Sequence, residues 1–280
     1  MIPTAPPAAG ELTEGPGRRV PAVLAVVLAG LLLVAGCGGG GPGGGSGGTP
    51  PSPADAVRQA FVTTRDAGTA RVALVNRTST AGTSLDVTGD GVLQLATGAA
   101  DLGIALPSLG GRVRVLSTGG VVYAALPPGI ASFLGGGKPW VSTGLDRLAG
   151  SAGPLGGALT TDPAQQLASL QAVRDDARLV GPEPVDGTPT THDAATVDLD
   201  RVPATSDPAS RPALDRVKAK LGTSTLPVDV WIDEQGRLRR VAQTVGTTTT
   251  TVTFSDFGVP APVVPPPADQ VADASALLPR

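Results

Sequence analysis

Cys37 is the only cysteine and His192 the only histidine in the 280 residues. These two side chains bound any thiol or imidazole chemistry. Nucleophilic hydrolysis needs a nucleophile, a base and a group that orients the base. The chain carries no Gly-x-Ser-x-Gly elbow, and its one histidine sits in a strand-like run, so catalysis is not expected. Asp193, Asp198 and Asp200 follow His192, and the last two share its parity along a strand. A weak metal site is one reading of that spacing; a solvated polar face is the plainer one. A single thiol forms neither a multi-cysteine zinc site nor an internal disulfide. The stretch from Asp233 to Gly236 lacks the ligand spacing of a calcium loop and reads as a turn. The glycines between Gly38 and Gly48 are not followed by the Lys-Ser/Thr of a phosphate-binding loop. No cofactor and no metal are expected.

The chemistry legible in the chain is done to it. Arg18 and Arg19 precede an apolar run from Val20 to Val34, which ends in Ala35-Gly36-Cys37. A positive start, an apolar middle and a small-residue end make a secretory signal. Val34-Ala-Gly-Cys37 resembles a bacterial lipobox, with Val in place of the usual Leu. That resemblance implies a diacylglyceryl group on the Cys37 thiol, cleavage before Cys37, and a mature chain that starts there. The alternative is an uncleaved transmembrane anchor, since about 18 apolar residues is the lower limit for spanning a bilayer. Pro21 at the start, small residues at the end and the lack of a following positive cluster argue against it. Both readings place the remainder on the extracytoplasmic side of a cell membrane.

Composition narrows the partners. The net charge is −3 and no basic run occurs, so nucleic acid is not an expected ligand. The apolar residues are mostly Ala, Val and Leu; there are only two Trp, one Tyr and four Phe. Trp140 and Trp231 read as sheet anchors or as the lining of a ligand mouth, the anchor being the plainer reading. Residues 1–36 are assigned as the signal peptide. Residues 37–53 are assigned as the lipidated cysteine and a Gly/Pro/Ser-rich tether, on the order of 20 Å in r.m.s. length if it behaves as a random coil. Residues 54–258 would form the folded domain and 259–280 a Pro-rich tail.

The elements that must position any site follow from periodicity. Ser52-Pro-Ala-Asp55 supplies an N-cap, a first-turn proline and an acid, and Val57, Ala60, Phe61 and Thr64 recur at helical spacing until Gly68. From Ala70 the period becomes two. Val72/Leu74, Leu85/Val87, Leu93/Leu95, Leu102/Ile104/Leu106 and Val113/Val115 mark strands, with Gly89-Asp-Gly91 as a turn or bulge. Ser117 to Gly120 turns into Val121-Val-Tyr123. Leu126-Pro-Pro-Gly129 breaks the meander, and Trp140 resumes it. Leu145 and Leu148 suggest a short helix. Further helices are expected over 162–173, with Leu167 and Leu170 on one face, and over 207–221. Strands follow at 179–199, 226–232, 238–245 and 247–257, before the prolines force the chain out of the sheet. This order predicts an α+β fold with helices on one face of a long curved antiparallel sheet.

Several stretches then look familiar together: Gly119-Gly-Val-Val-Tyr123, Lys138-Pro-Trp-Val-Ser142, Asp162-Pro163, Val185-Asp-Gly-Thr188, Leu226 to Asp233 with Gly236-Arg-Leu238, and Phe254-Ser-Asp-Phe-Gly258. Behind a lipobox and a Gly-rich tether, this set resembles the LppX/LprAFG family of actinobacterial lipoproteins, which are LolA-like. Asp193 departs from the pattern, standing where a Tyr or similar residue is expected in relatives. The resemblance implies a strongly curved antiparallel half barrel with helices packed on its concave face and an apolar cavity between. It implies a non-enzymatic protein that binds lipid or glycolipid acyl chains and carries or presents them. Its partners would be the membrane, through diacylglyceryl-Cys37, and an envelope transporter. The residues expected to line the cavity are Leu85, Val87, Leu93, Leu95, Leu102, Ile104, Leu106, Val113, Val115, Val121 and Tyr123 from the sheet, with Phe61, Leu167 and Leu170 from helices. The alternative function is a structural or signalling envelope lipoprotein with a filled core that acts through protein partners.

Overall fold

The computed structural model describes residues 51–80, 83–106, 111–144, 163–202, 214–215, 218–219 and 221–274, all within the unit Thr49–Arg280. Cys37 and the stretches expected to be the signal and, as far as residue 50, the tether lie outside the described residues. So do the short helix expected at Leu145 and Leu148 and most of the helix expected over 207–221.

Helix α1 spans Pro53–Asp66. The Ser52 side chain accepts the Asp55 backbone N–H, and Asp55 places a negative charge in the first turn. Ala54, Val57, Ala60, Phe61 and Thr64 are its buried residues, the stripe the spacing predicts. Burying Val57 and Phe61 contributes about 1.5–3 kcal/mol each.

The strands are β1 (Thr69–Thr80), β2 (Thr83–Gln94), β3 (Ala100–Leu106), β4 (Gly111–Thr118), β5 (Val121–Ala125), β6 (Trp140–Gly144), β7 (Arg178–Pro182), β8 (Thr190–Asp198), β9 (Thr225–Asp233), β10 (Leu238–Val245), β11 (Thr248–Ser255) and β12 (Val271–Asp273). They form one open, curved sheet in the order β12-β6-β5-β4-β3-β2-β1-β11-β10-β9-β8-β7. Every pair is antiparallel except β12 on β6. The fold is α+β, as the element order predicts.

Three local expectations change. Gly89-Asp-Gly91 is no turn: β2 runs straight through it, paired to β1 and β3 on its two sides. The glycines allow a close approach instead. A Cβ at Gly89 would lie 2.6 Å from Ile104 Cδ1, and one at Gly91 would collide with the Asp101 carbonyl oxygen. The meander break at Pro127 holds a short helix, α2 (Pro128–Leu134), entered from proline. The Pro-rich segment does leave the sheet after β11, but it returns. It crosses β2, where Gln94 Nε2 donates to the Ala261 carbonyl at 2.8 Å, and ends as β12 against β6.

A third helix, α3, spans Pro163–Ser169 and tightens into a 3-10 turn at Leu170–Ala172, and residues 214–215, 218–219 and 221 are also helical. Helix α1 packs against that turn and against β7 to β10. Buried Thr64 Oγ1 accepts the Leu238 N–H at 2.8 Å, which ties the helix to the start of β10. Leu214 and Leu221, from the stripe expected over 207–221, pack against the core.

Candidate apolar binding face

Strand register decides which side chains share a face. Val72 and Leu74 of β1 lie opposite Gly91 and Gly89 of β2, and those lie opposite Leu102 and Ile104 of β3. Leu102 and Ile104 pair with Val115 and Val113 of β4. Val115 pairs with Ala124 of β5, and Ser117 with Val122. In the other direction Val72 and Leu74 meet Phe254 and Val252 of β11; Val252 meets Val241 of β10, and Val241 meets Val230 of β9. The row continues to Asp193 of β8. One face of the sheet is therefore apolar from β5 to β9, and its residues join those of α1, Leu167 and Leu170 in one buried cluster.

The opposite face is the charged one, with ion pairs along β1 to β4, although Leu116 and Trp231 are buried on it. Arg77 pairs with Asp86 at 2.7 Å and Arg114 with Asp101 at 2.7 Å. Arg112 pairs with Asp90 in the same ladder. Exposed pairs of this kind contribute little to stability, because water and salt screen them. Their value is that they commit one face of each strand to solvent.

Most of the expected lining residues fall on the apolar face. Val87, Leu93, Leu95, Leu102, Ile104, Val113 and Val115 are buried there, and Phe61, Leu167 and Leu170 are buried from the helix side. Leu106 holds the right register at the end of β3, opposite Gly111. Leu85 also has the right register, opposite Thr78, but it is 49% exposed at the far end of β2. Val121 and Tyr123 are corrected. They pair with Thr118 and Leu116, on the opposite face, so Val122 and Ala124 take their places. The triplet Val121-Val-Tyr123 has no polar residue to show its phase. Only the pairing with β4 sets it.

The face is not uniformly apolar. Gln243, Thr250 and Asn76 lie side by side on β10, β11 and β1. Asn76 Nδ2 donates to Thr250 Oγ1 at 3.1 Å, and Gln243 Nε2 donates to Ser169 Oγ of α3 at 3.2 Å. One turn before Ser169, Gln166 is buried with both side-chain polar atoms unpartnered, as is Thr143 Oγ1 on β6. Asp193 is 4% exposed. Burial pushes its carboxyl above the usual carboxylate range, and the nearby His192 offsets only part of that push. Sequence reasoning missed this polar row, because no local pattern reveals which Gln or Asn the register will carry inward.

His192 stands on the charged face. Its ring stacks on Trp231, with centroids 4.3 Å apart, and the Arg240 guanidinium lies over the same indole at 5.4 Å. Nε2 is 2.9 Å from Asp229 Oδ1. Glu183 Oε2 is 3.0 Å from Nδ1 but off the hydrogen-bonding direction. The two acids sit at opposite ring nitrogens and do not converge on one point. Asp198 shares the face but is six residues along the strand, roughly 20 Å away. The metal reading of the His192 acids therefore has no geometry behind it. Trp231 is an anchor on the charged face. Trp140 pairs with Val271 and Ala125, under Arg114 at 5.9 Å.

Asp233 explains the turn at 233–236. Its side chain is 1% exposed and accepts from the backbone N–H of Gln235 and Arg237 and from the Arg237 and Arg239 guanidinium groups. Burial works against the charge, but the Arg237 N–H and the Arg239 and Arg237 side chains outweigh it and hold the carboxyl below its ordinary range. The role is structural: it closes the β9–β10 hairpin.

No family model matches the chain. A curated relative, an uncharacterized 31.2 kDa protein of Streptomyces griseus from the rplA–rplJ intergenic region, is 30% identical over 155 residues. The match covers 51% of this chain and 50% of that protein, so the chain spans about half the length of the curated relative it matches. Solved structures similar to the chain include the Mycobacterium tuberculosis lipoprotein LppX, at 19% identity and a TM-score of 0.47, over 77% of this chain and 100% of that one. LprF from Mycobacterium bovis is similar at 16% identity and a TM-score of 0.44, over 78% and 98%. A LolA superfamily protein from Nitrosomonas europaea is similar at 9% identity and a TM-score of 0.32, over 74% and 93%. Among the described residues no helix is long and apolar enough to cross a membrane; the run Val20–Val34 is not among them.

Proposed function

We propose that the chain is a lipid-anchored extracytoplasmic lipoprotein whose apolar sheet face binds the acyl chains of a lipid or glycolipid and carries or presents them. The observation that carries this reading is the continuity of the apolar face from β5 to β9. Residues without bulk, Gly89, Gly91, Ala100 and Ala124, interrupt the larger ones on that face. Val87, Leu93, Leu95, Leu102, Ile104, Val113, Val115 and Val122 would contact chains from the sheet, and Phe61, Leu167 and Leu170 from the helices. Leu106 would join them at the end of β3, and Leu85 would lie at the rim. No catalytic step is assigned.

Binding of this kind needs little polar recognition. Each CH₂ moved from water onto such a face contributes about 0.8 kcal/mol. A chain taken from a bilayer gains far less, because it leaves hydrocarbon for hydrocarbon. Direction must then come from a partner, an envelope transporter being the fitting class. Cys37 would supply membrane proximity, since two acyl chains give stable attachment where one is marginal.

The second reading is a filled core in a structural or signalling lipoprotein. It draws support from Val230, Val241 and Val252, each 0% exposed. Lipid extraction and native mass spectrometry of the protein purified from its own host separate the two. Co-purified lipid at near-unit stoichiometry is expected. A clean apo mass, with no uptake of a fluorescent fatty acid, would leave the filled core standing alone.

A further inference from the structure

The proposed acyl ligand does not account for Gln166. This side chain is only 7% exposed, and neither its Oε1 nor its Nε2 has a partner. A buried amide left unmet is unfavourable, and native proteins rarely keep one without a reason. Its surroundings are organised. Ser169, one turn later on α3, donates from Oγ to the Gln166 carbonyl at 2.7 Å and accepts from Gln243 Nε2 at 3.2 Å. Gln243 continues into Thr250 and Asn76 across the apolar face. The next row along the same strands, Val241, Val252 and Leu74, is wholly apolar. A single polar row thus crosses an otherwise apolar face and is tied through Ser169 to the main chain of Gln166, whose own amide has free capacity.

We propose that Gln166, backed by Ser169 and Gln243, recognises an uncharged hydroxyl group carried within the apolar part of the ligand. The inference rests on the acyl-binding reading above. A Gln amide offers two N–H donors and a carbonyl acceptor, which complements a group that both donates and accepts. A plain alkyl chain leaves it orphaned. An ionised headgroup is a poor match, because Gln166, Ser169, Gln243, Thr250 and Asn76 are all uncharged and a buried charge needs a countercharge. The hydroxyl has two natural sources, a hydroxylated acyl chain or the free glycerol position of a diacylglycerol. A site built to hydrogen-bond a hydroxyl discriminates against the analogue that lacks it.

The test is competition for photo-crosslinking of the full-length protein in membranes by a photoreactive alkynyl fatty acid. Methyl ricinoleate competes against methyl oleate, which lacks its mid-chain hydroxyl. Dioleoylglycerol competes against trioleoylglycerol. The wild type is expected to prefer the hydroxyl-bearing member of at least one pair by about tenfold, and the pair that responds identifies the source. Gln166→Met, close in shape and apolar, should abolish the preference, keep labelling by the probe, and raise Tm in the absence of ligand. Equal competition within both pairs in the wild type overturns the inference while leaving acyl binding intact. So does a preference that survives in Gln166→Met. Absence of any labelling of the wild type removes the acyl-binding reading, and this inference with it.

Discussion

Asp193 and Asp233 are both buried acids, and their surroundings drive them in opposite directions. Asp193 faces valines across β9, and burial raises its pKa. Its native form therefore binds a proton more readily than the unfolded chain does. The sign follows from linkage: stability is greatest below the unfolded carboxylate value of about 3.9 and falls as pH rises through the raised native value. Asp193→Asn should raise Tm at neutral pH, with the gain vanishing as pH drops below that native value; thermal melts across the acid range check it. Asp233 has the reverse sign, since burial is outweighed by its N–H and guanidinium donors. Its contribution is present above the unfolded value and is lost as pH falls through the depressed native one. Asp233→Ala should cost about 3–5 kcal/mol in chemical denaturation at neutral pH, because it strands Arg237 and Arg239.

At the scale of elements, the close approach of β2 and β3 depends on absent side chains. Gly91 lies against the Asp101 carbonyl with no space for a Cβ, and its neighbour on the same face, Gly89, lies against Ile104. Gly91→Val should destabilise the domain by about 1–3 kcal/mol through overpacking, measured as a drop in the urea midpoint. The helices were legible for a different reason. The Ser52 cap and the stripe from Val57 to Thr64 are local, so α1 appears where the spacing predicts it. The strand parities were legible wherever polar residues alternate, as in β2 and β4. They failed at Val121-Val-Tyr123, which lacks that alternation, and at Gly89-Asp-Gly91, where glycine signals a turn equally well.

For the whole molecule, the acylated cysteine and the apolar face are two halves of one proposed device. Cys37→Ala should move the protein from the membrane to the soluble fraction of its host, assayed by fractionation and immunoblotting. Retention in the membrane would favour the uncleaved helix instead. Among the described residues, α1 makes its main sheet contacts with β7 to β10, at one end of the twelve-stranded sheet.

The amino-acid sequence by itself determined the features whose physics is local: the capped first helix, the alternating strands, the Asp186-Gly187 and Gly119-Gly120 turns, and a composition poor in catalytic groups. It also holds the run from Arg18 to Cys37, whose expected reading as a signal and lipobox depends on linear chemistry alone. Only the tertiary structure decided which residues share a face. It moved Val121 and Tyr123 to the opposite side of the sheet, set Glu183 and Asp229 around His192, and returned the Pro-rich tail to β6 as β12. It also lined up Asn76, Thr250 and Gln243 beneath Ser169. These are pairings between residues up to 174 positions apart, as at Asn76 and Thr250. Strand register is a collective choice of the whole sheet, and a shift of one residue would exchange every inward side chain for an outward one.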